Sequence, residues 1–310
     1  MADRLSAMDI QGIPPAGLPS TGFRVRDAIA AGVPRQQLYR VGLQRPFHRM
    51  RSIDVDLDDH LQLCTALACI LPRGTYFSHR SAAVIHGLPV PFAAPRKPEI
   101  SVFEPDRPPE IAGVDSHQLT YSGQRFAYVD GLRVIEPEDV WAQLSASLSV
   151  ADLVAIGDTL ITGTEPFDGV PPVSDAARLA DAVRRHGRRR GVRSLRLALE
   201  RIRYGSLSPQ ESRLRVALMD AGLPEPVLNF PIEEHGRRTA MIDLAYPDER
   251  VAIEYLGDHH RTEKSTYRAD IHRRERLVER GWSVVFVTAA DDLHHVTIRV
   301  RRLLHRTSPG

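Results

Sequence analysis

Two apolar stretches near the C-terminus, RTAMIDLAYP (residues 238–247) and VAIEYLG (251–257), flank the acidic pair Asp248-Glu249. Alternating Ile, Leu, Val and Tyr on both sides of a break marked by Pro247 predicts a β-hairpin. With Asp248 and Glu249 as the loop, Asp243 falls opposite Glu254 on one side of the sheet, Cβ atoms about 5 Å apart. Asp-Glu is not a favoured two-residue loop, so a bulge can shift that register. Facing carboxylates repel each other. Ile242, Leu244, Val251, Ile253 and Leu256 make both strands too apolar to leave the pair in open water. A divalent cation, Mg²⁺ or Mn²⁺, removes the repulsion and suits hard oxygen ligands. Such an ion polarises a phosphodiester and generates hydroxide near neutral pH.

The rest of the chain bounds where such a site can sit. Its 310 residues, 42% hydrophobic and 26% charged, predict two or three domains of mixed α/β (α+β) class. Net charge is only +2, so the distribution of charge is more informative than its sum. Cys64 and Cys69 are five apart on an expected helix and suggest neither a disulfide framework nor a zinc site. There is no basic-plus-apolar leader pattern. No apolar run approaches the roughly 20 residues that span a bilayer. A cytoplasmic protein without membrane contact is the expectation.

Residues 1–20 are Pro/Gly-rich and aperiodic, the composition of a flexible tail. Thr21 then reads as the N-cap of a helix through Ala31 that Gly32 ends, and Pro34 opens a second helix. The segment QRPFHRMRSIDV alternates like a β-ribbon. Helix, turn, helix and ribbon over 21–56 is the layout of a winged helix-turn-helix. Arg35, Arg40, Arg45, Arg49 and Arg51 occur with no acid between Asp27 and Asp54. With Gln36, Gln37 and Tyr39 they form a candidate surface for double-stranded DNA. A solvated αα-hairpin is the competing reading.

Residues 57–162 predict a mixed α/β middle domain. It holds an apolar helix at LQLCTALACIL, a helix that Ser78 caps and Gly87 and Pro89 stop, short strands near EISVFEP and QLTYSGQ, and a helix at EDVWAQLSASL. His79 and His86 lie two helical turns apart, a spacing met more often in packing or capping than in metal sites. Residues 163–206 join a turn-rich linker to an arginine-dense helical region. That region is either a solvated face or a phosphate-contacting one.

From 207 to 306 come the strings SPQESRLRVALMDAGLPEP, GRRTAMIDLAYPDERVAIEYLGDHHR and DIHRRERLVERGWSVVFVT. They resemble the very-short-patch-repair-like endonuclease domains of the PD-(D/E)XK restriction-endonuclease-like superfamily. The motifs that carry the resemblance are Asp243, Glu254 in an E-x-x-G turn, the following G-D-H-H, and R-R-E-x-L before G-W. More loosely, the winged helix and FSHRSAAVIHGLP are similar to AbiEi-like antitoxin regulators. The resemblance implies Asp243 and Glu254 as metal ligands and Glu211 as an additional or supporting acid. Glu211 equally completes a capping box with Ser208. His259 or His260 would act on water or leaving group. Arg273 and Arg274 would hold phosphate oxygens.

Leu256 stands where the superfamily carries a lysine, and only Lys264 or an arginine from elsewhere could replace it. Two functions are therefore expected: a Mg²⁺-dependent DNA endonuclease, or a non-catalytic DNA-binding regulator of a toxin-antitoxin pair. The second implies a protein partner encoded nearby and leaves an oligomer open.

Overall fold

A computed structural model describes residues 20–39, 42–234, 237–256 and 275–307. Arg40, His259, His260, Lys264, Arg273 and Arg274 lie outside the described residues. The chain divides into two compact units, each mixed α/β. One comprises Met1–Leu144 with Arg184–Arg188, the other Ser145–Val183 with Arg189–Gly310.

The first unit opens with β1 (Phe23–Arg24), α1 (Val25–Ala30), a 3-10 helix (Arg35–Tyr39) and β2 (Met50–Arg51). β1 pairs antiparallel with β2, and Gln44 bridges Ser52. Phe23, Ala28 and Leu38 pack together beneath them. Two expectations change here. Thr21 does not cap α1, because Phe23 and Arg24 are drawn into the ribbon and Val25 N–H bonds the Arg49 carbonyl. The second helix is a single 3-10 stretch after Pro34, whose carbonyl accepts from Gln37 N–H. The helix end is as read: Gly32 takes φ +86° and Val33 N–H closes on the Ala28 carbonyl.

Next come α2 (His60–Ala68), β3 (Tyr76–Phe77), α3 (His79–Ile85), β4 (Glu99–Phe103), β5 (Asp115–Leu119), β6 (Phe126–Val129), β7 (Leu132–Ile135) and α4 (Pro137–Leu144). The strands form one sheet in the order β5-β4-β3-β7-β6. Asp59 caps α2 by accepting from Leu61 and Gln62 N–H. Ser78 precedes α3 but makes no cap bond. Its hydroxyl is engaged by Ser101 Oγ and the His79 ring, and Gln143 Oε1 accepts the His79 N–H instead.

The second unit holds α5 (Val150–Thr162), α6 (Glu165–Asp168), α7 (Ala176–His186, its last turn assigned to the first unit), α8 (Val192–Arg201), α9 (Pro209–Asp220), β8 (Val227–Glu234), β9 (Arg237–Tyr246), β10 (Val251–Leu256), β11 (Ser283–Thr288) and α10 (Leu293–Thr307). Its sheet runs β11-β10-β9-β8, antiparallel except that β11 is parallel to β10. One cluster, with Leu214, Leu218, Val296 and Val300, joins α9 and α10 to Leu244, Val251, Ile253, Val285 and Val287. A second, smaller cluster gathers Ile232, Ile242, Ala245, Ala252 and Leu277. The β9–β10 hairpin has the register its sequence requires, Tyr246 with Val251, Ala245 with Ala252 and Leu244 with Ile253. Its turn spans Pro247 to Arg250, where Arg250 adopts φ +51° and its N–H bonds the Pro247 carbonyl.

Candidate functional site

Asp243 on β9 and Glu254 on β10 each lie one residue beyond the last paired rung, Leu244 with Ile253. The ladder itself ends at Leu244–Ile253, and Asp243 Oδ2 accepts from Tyr255 N–H at 2.8 Å. On the other side of β9, Leu228 pairs with Leu244 and Phe230 with Ile242. Between those two pairs Asn229 adopts a left-handed conformation (φ +47°) that Asn tolerates better than most residues.

A helix N-terminus carries the third candidate acid. Ser208 caps α9 by accepting from Glu211 N–H at 3.2 Å, and Pro209 fits the first turn without a donor to lose. Glu211 Oε2 accepts from Leu207 N–H at 3.1 Å and from Asn229 Nδ2 at 3.3 Å, while Asn229 Nδ2 also reaches the Gly205 carbonyl. Glu211 thus takes the capping position, with its return bond made to Leu207 rather than Ser208, and is the third candidate acid.

The electrostatics follow from burial. Glu211 is 6% exposed and Glu254 4%. Burial first, and the Asp243 charge second, push the Glu211 carboxyl from 4.5 up to about 7 against the pull of its hydrogen bonds. The folded protein thus holds this proton more tightly than the unfolded chain. Glu211 costs no stability below pH 4.5, an increasing amount as pH rises, and its full cost, about 3 kcal/mol, above about 7. In metal-free protein, Glu211→Gln is expected to match wild type in urea stability near pH 4.5 and exceed it by about that amount at pH 8. An offset independent of pH would contradict this assignment.

Carboxylates are the hard donors that Mg²⁺ prefers, so Glu211, Asp243 and Glu254 fit that ion by donor type. Among the described residues, no group of three or more His, Cys, Asp or Glu side chains is arranged to hold a metal. Leu256 ends β10 opposite Thr288 of β11 and offers no polar atom.

In the first unit, Arg35, Gln36, Gln37, Arg45 and Arg49 are exposed. Tyr39 is half exposed, with the Arg45 and Arg51 guanidinium carbons 5.5 and 5.0 Å from its ring centroid. Arg51 departs from the expected outward face. It is 5% exposed because Nε bonds the Leu38 carbonyl and Nη1 the Met50 carbonyl, so it braces Tyr39 from within. His79 and His86 take the structural roles their spacing suggested. The His86 ring bonds the Ile135 carbonyl. His79 stacks on His117 at 4.3 Å, and burial, then His117, lowers its pKa to about 4.

Sequence reading missed Asn229 and a buried ion pair, Asp158 with Arg215, both 0% exposed and 2.8 Å apart. The available signal was a single charge on an otherwise apolar helix face, Asp158 in LVAIGDTLIT and Arg215 in RLRVALM.

No family model matches the chain. Two uncharacterized proteins of Mycobacterium tuberculosis, from strains CDC 1551 / Oshkosh and ATCC 25618 / H37Rv, are each 32% identical to it over 115 residues. The match spans 37% of this chain and 42% of either relative, less than half the length of both. A crystal structure of the RV2827C protein from Mycobacterium tuberculosis aligns over 59% of this chain and 76% of that one, with 18% identity and a TM-score of 0.32.

Proposed function

We propose that this chain binds double-stranded DNA and that residues 207–306 are a Mg²⁺-dependent endonuclease domain of PD-(D/E)XK type, in its very-short-patch-repair-like branch. The observation that carries the reading is the closeness of the buried Glu211 carboxyl to the Asp243 charge, with the buried Glu254 on the neighbouring strand β10. The mixed α/β character of the second unit, a four-stranded sheet with α9 and α10 packed on it, is compatible with the same reading.

Asp243 and Glu254 would hold the cation, with Glu211 beside them. When bound, the ion supplies Lewis-acid polarisation of a phosphodiester and a more acidic water. The chain's own residues do the rest. Asn229 fixes the Glu211 carboxylate, and Tyr255 N–H fixes Asp243. His259 or His260 would move a proton at the attacking water or leaving oxygen. Arg273 and Arg274 would hold phosphate oxygens, and Lys264 would stand in for the missing lysine. Upstream, the exposed Arg35, Gln36, Gln37, Tyr39, Arg45 and Arg49, with Arg40, would meet duplex DNA as part of a winged helix. The arginine-dense region 178–203 would add affinity that does not depend on DNA sequence.

Leu256 favours a second reading, a non-catalytic, AbiEi-like cytoplasmic regulator that retains the nuclease fold as scaffold and answers to a partner encoded nearby. No helix among the described residues is long and apolar enough to cross a membrane, which suits either reading. The two separate in one experiment on the purified full chain: nicking of supercoiled plasmid with Mg²⁺ or Mn²⁺, alongside calorimetric Mn²⁺ titration. The endonuclease reading expects metal-dependent nicking and saturable Mn²⁺ binding. Salt-sensitive DNA binding with neither would discard it in favour of the regulator.

A further inference from the structure

The five-stranded sheet of the first unit ends on β6, and no described strand covers its outer edge. Glu136 N–H bonds the Arg125 carbonyl, which fixes the alternation of the β6–β7 ladder. Ala127 and Val129 therefore turn their backbone groups toward β7, and Phe126 and Tyr128 turn theirs outward. The same two side chains are exposed, 48% and 69%. Phe126 extends an aromatic row in which it lies 4.6 Å from Tyr76, Tyr76 5.6 Å from Phe103, and Phe103 5.3 Å from the exposed Tyr121. Open edges are commonly guarded by lysine, proline, a bulge or an inward charge, and Phe126-Ala127-Tyr128-Val129 has none of them.

We propose that β6 docks against β6 of a second copy of this chain, antiparallel, about a twofold axis through Ala127. The strand is its own complement. Its two outward residues lie symmetrically about Ala127, so the rotation sets Phe126 opposite Tyr128 of the second copy and repeats the pair on the other side. Both pairs exchange N–H···O=C bonds and bring aromatic side chains face to face across the seam. Arg125 falls opposite Val129, and Gln124 opposite Asp130, so no like charges meet. Ala127, a small residue, faces its own counterpart on the axis. Symmetry forbids a one-residue slip, because opposed residues must share a face. A two-residue slip toward the C-terminal end of β6 would set Phe126 against Asp130. Charge along the row is mixed, with Arg125 held by Glu136 at 2.9 Å and Asp130 closing the strand, which suits a like copy better than a polyanion.

The test uses the full chain in sedimentation equilibrium and oxidative cross-linking. Wild type is expected as a concentration-dependent dimer, and Phe126→Asp or Tyr128→Lys as a monomer with unchanged circular dichroism. Ala127→Cys should form an intermolecular disulfide on mild oxidation, while Tyr128→Cys, which faces Phe126, should not. Background from the native thiols is small, since Cys64 is buried with its pKa pushed up to about 12 and Cys69 is half-buried. A monomeric wild type overturns the proposal. So does a dimer that survives Tyr128→Lys, or cross-linking no greater at position 127 than at 128.

Discussion

Asp158→Ala is expected to cost the protein about 3–5 kcal/mol, read as a lowered urea midpoint with little change in slope. Asp158 on α5 and Arg215 on α9 are fully buried and 2.8 Å apart. Around them, Asp158 also accepts from Arg203 N–H and Ser212 Oγ, and Arg215 donates to Glu225 and the Arg201 carbonyl. The network ties α5, the end of α8 and the start of α9 into one body, and α9 carries Glu211. Removing the aspartate strands a guanidinium in the interior with one carboxylate left, and takes the acceptor from a backbone N–H and a hydroxyl. Arg215→Met should be comparably damaging, since it strands Asp158. The double variant should cost clearly less than the two single losses added together, because neither charge is then left buried alone. A single-variant loss under about 1 kcal/mol, the range of an exposed pair, would show that water reaches the network.

Asp243→Asn and Glu254→Gln are each expected to lower metal-dependent nicking by at least about a hundredfold, the scale of losing a preorganised charge at a reacting centre. The amide variants suit the question better than alanine. Asp243 accepts from Tyr255 N–H, and an amide oxygen can still do so while the negative charge is gone. An unchanged melting temperature would show that the loss is one of charge and not of fold. Mn²⁺ binding should weaken in parallel. If both variants nick as wild type does, the activity belongs to a contaminant and the endonuclease reading fails.

Much of the C-terminal fold was legible because its signals are local. The two-residue alternation on either side of Asp248-Glu249 set the hairpin register, and Ser208-Pro209-Gln210-Glu211 marked the start of α9. Legibility failed where long-range packing competed with a local preference. Thr21 is a sound N-cap by type, yet the ribbon with Met50 and Arg51 took the residues it would have capped. Ser78 likewise gave up capping for Ser101, twenty-three positions away. Arg51 resembled its exposed neighbours in composition, and only the carbonyls of Leu38 and Met50 turned it inward.

By itself the sequence determined the hairpin of β9 and β10, because the two-residue side-chain period on both sides of Asp248-Glu249 favours the pairing that buries Leu244 with Ile253. It could not determine that Glu211 comes close to Asp243. That needed α9 to fold back on the sheet, bringing together groups separated along the chain by a distance no periodic pattern encodes. The same holds for Asp158 with Arg215 and for Asn229 with Glu211. Tertiary packing decided these, since only removal from water makes a single charge in an apolar helix seek its partner.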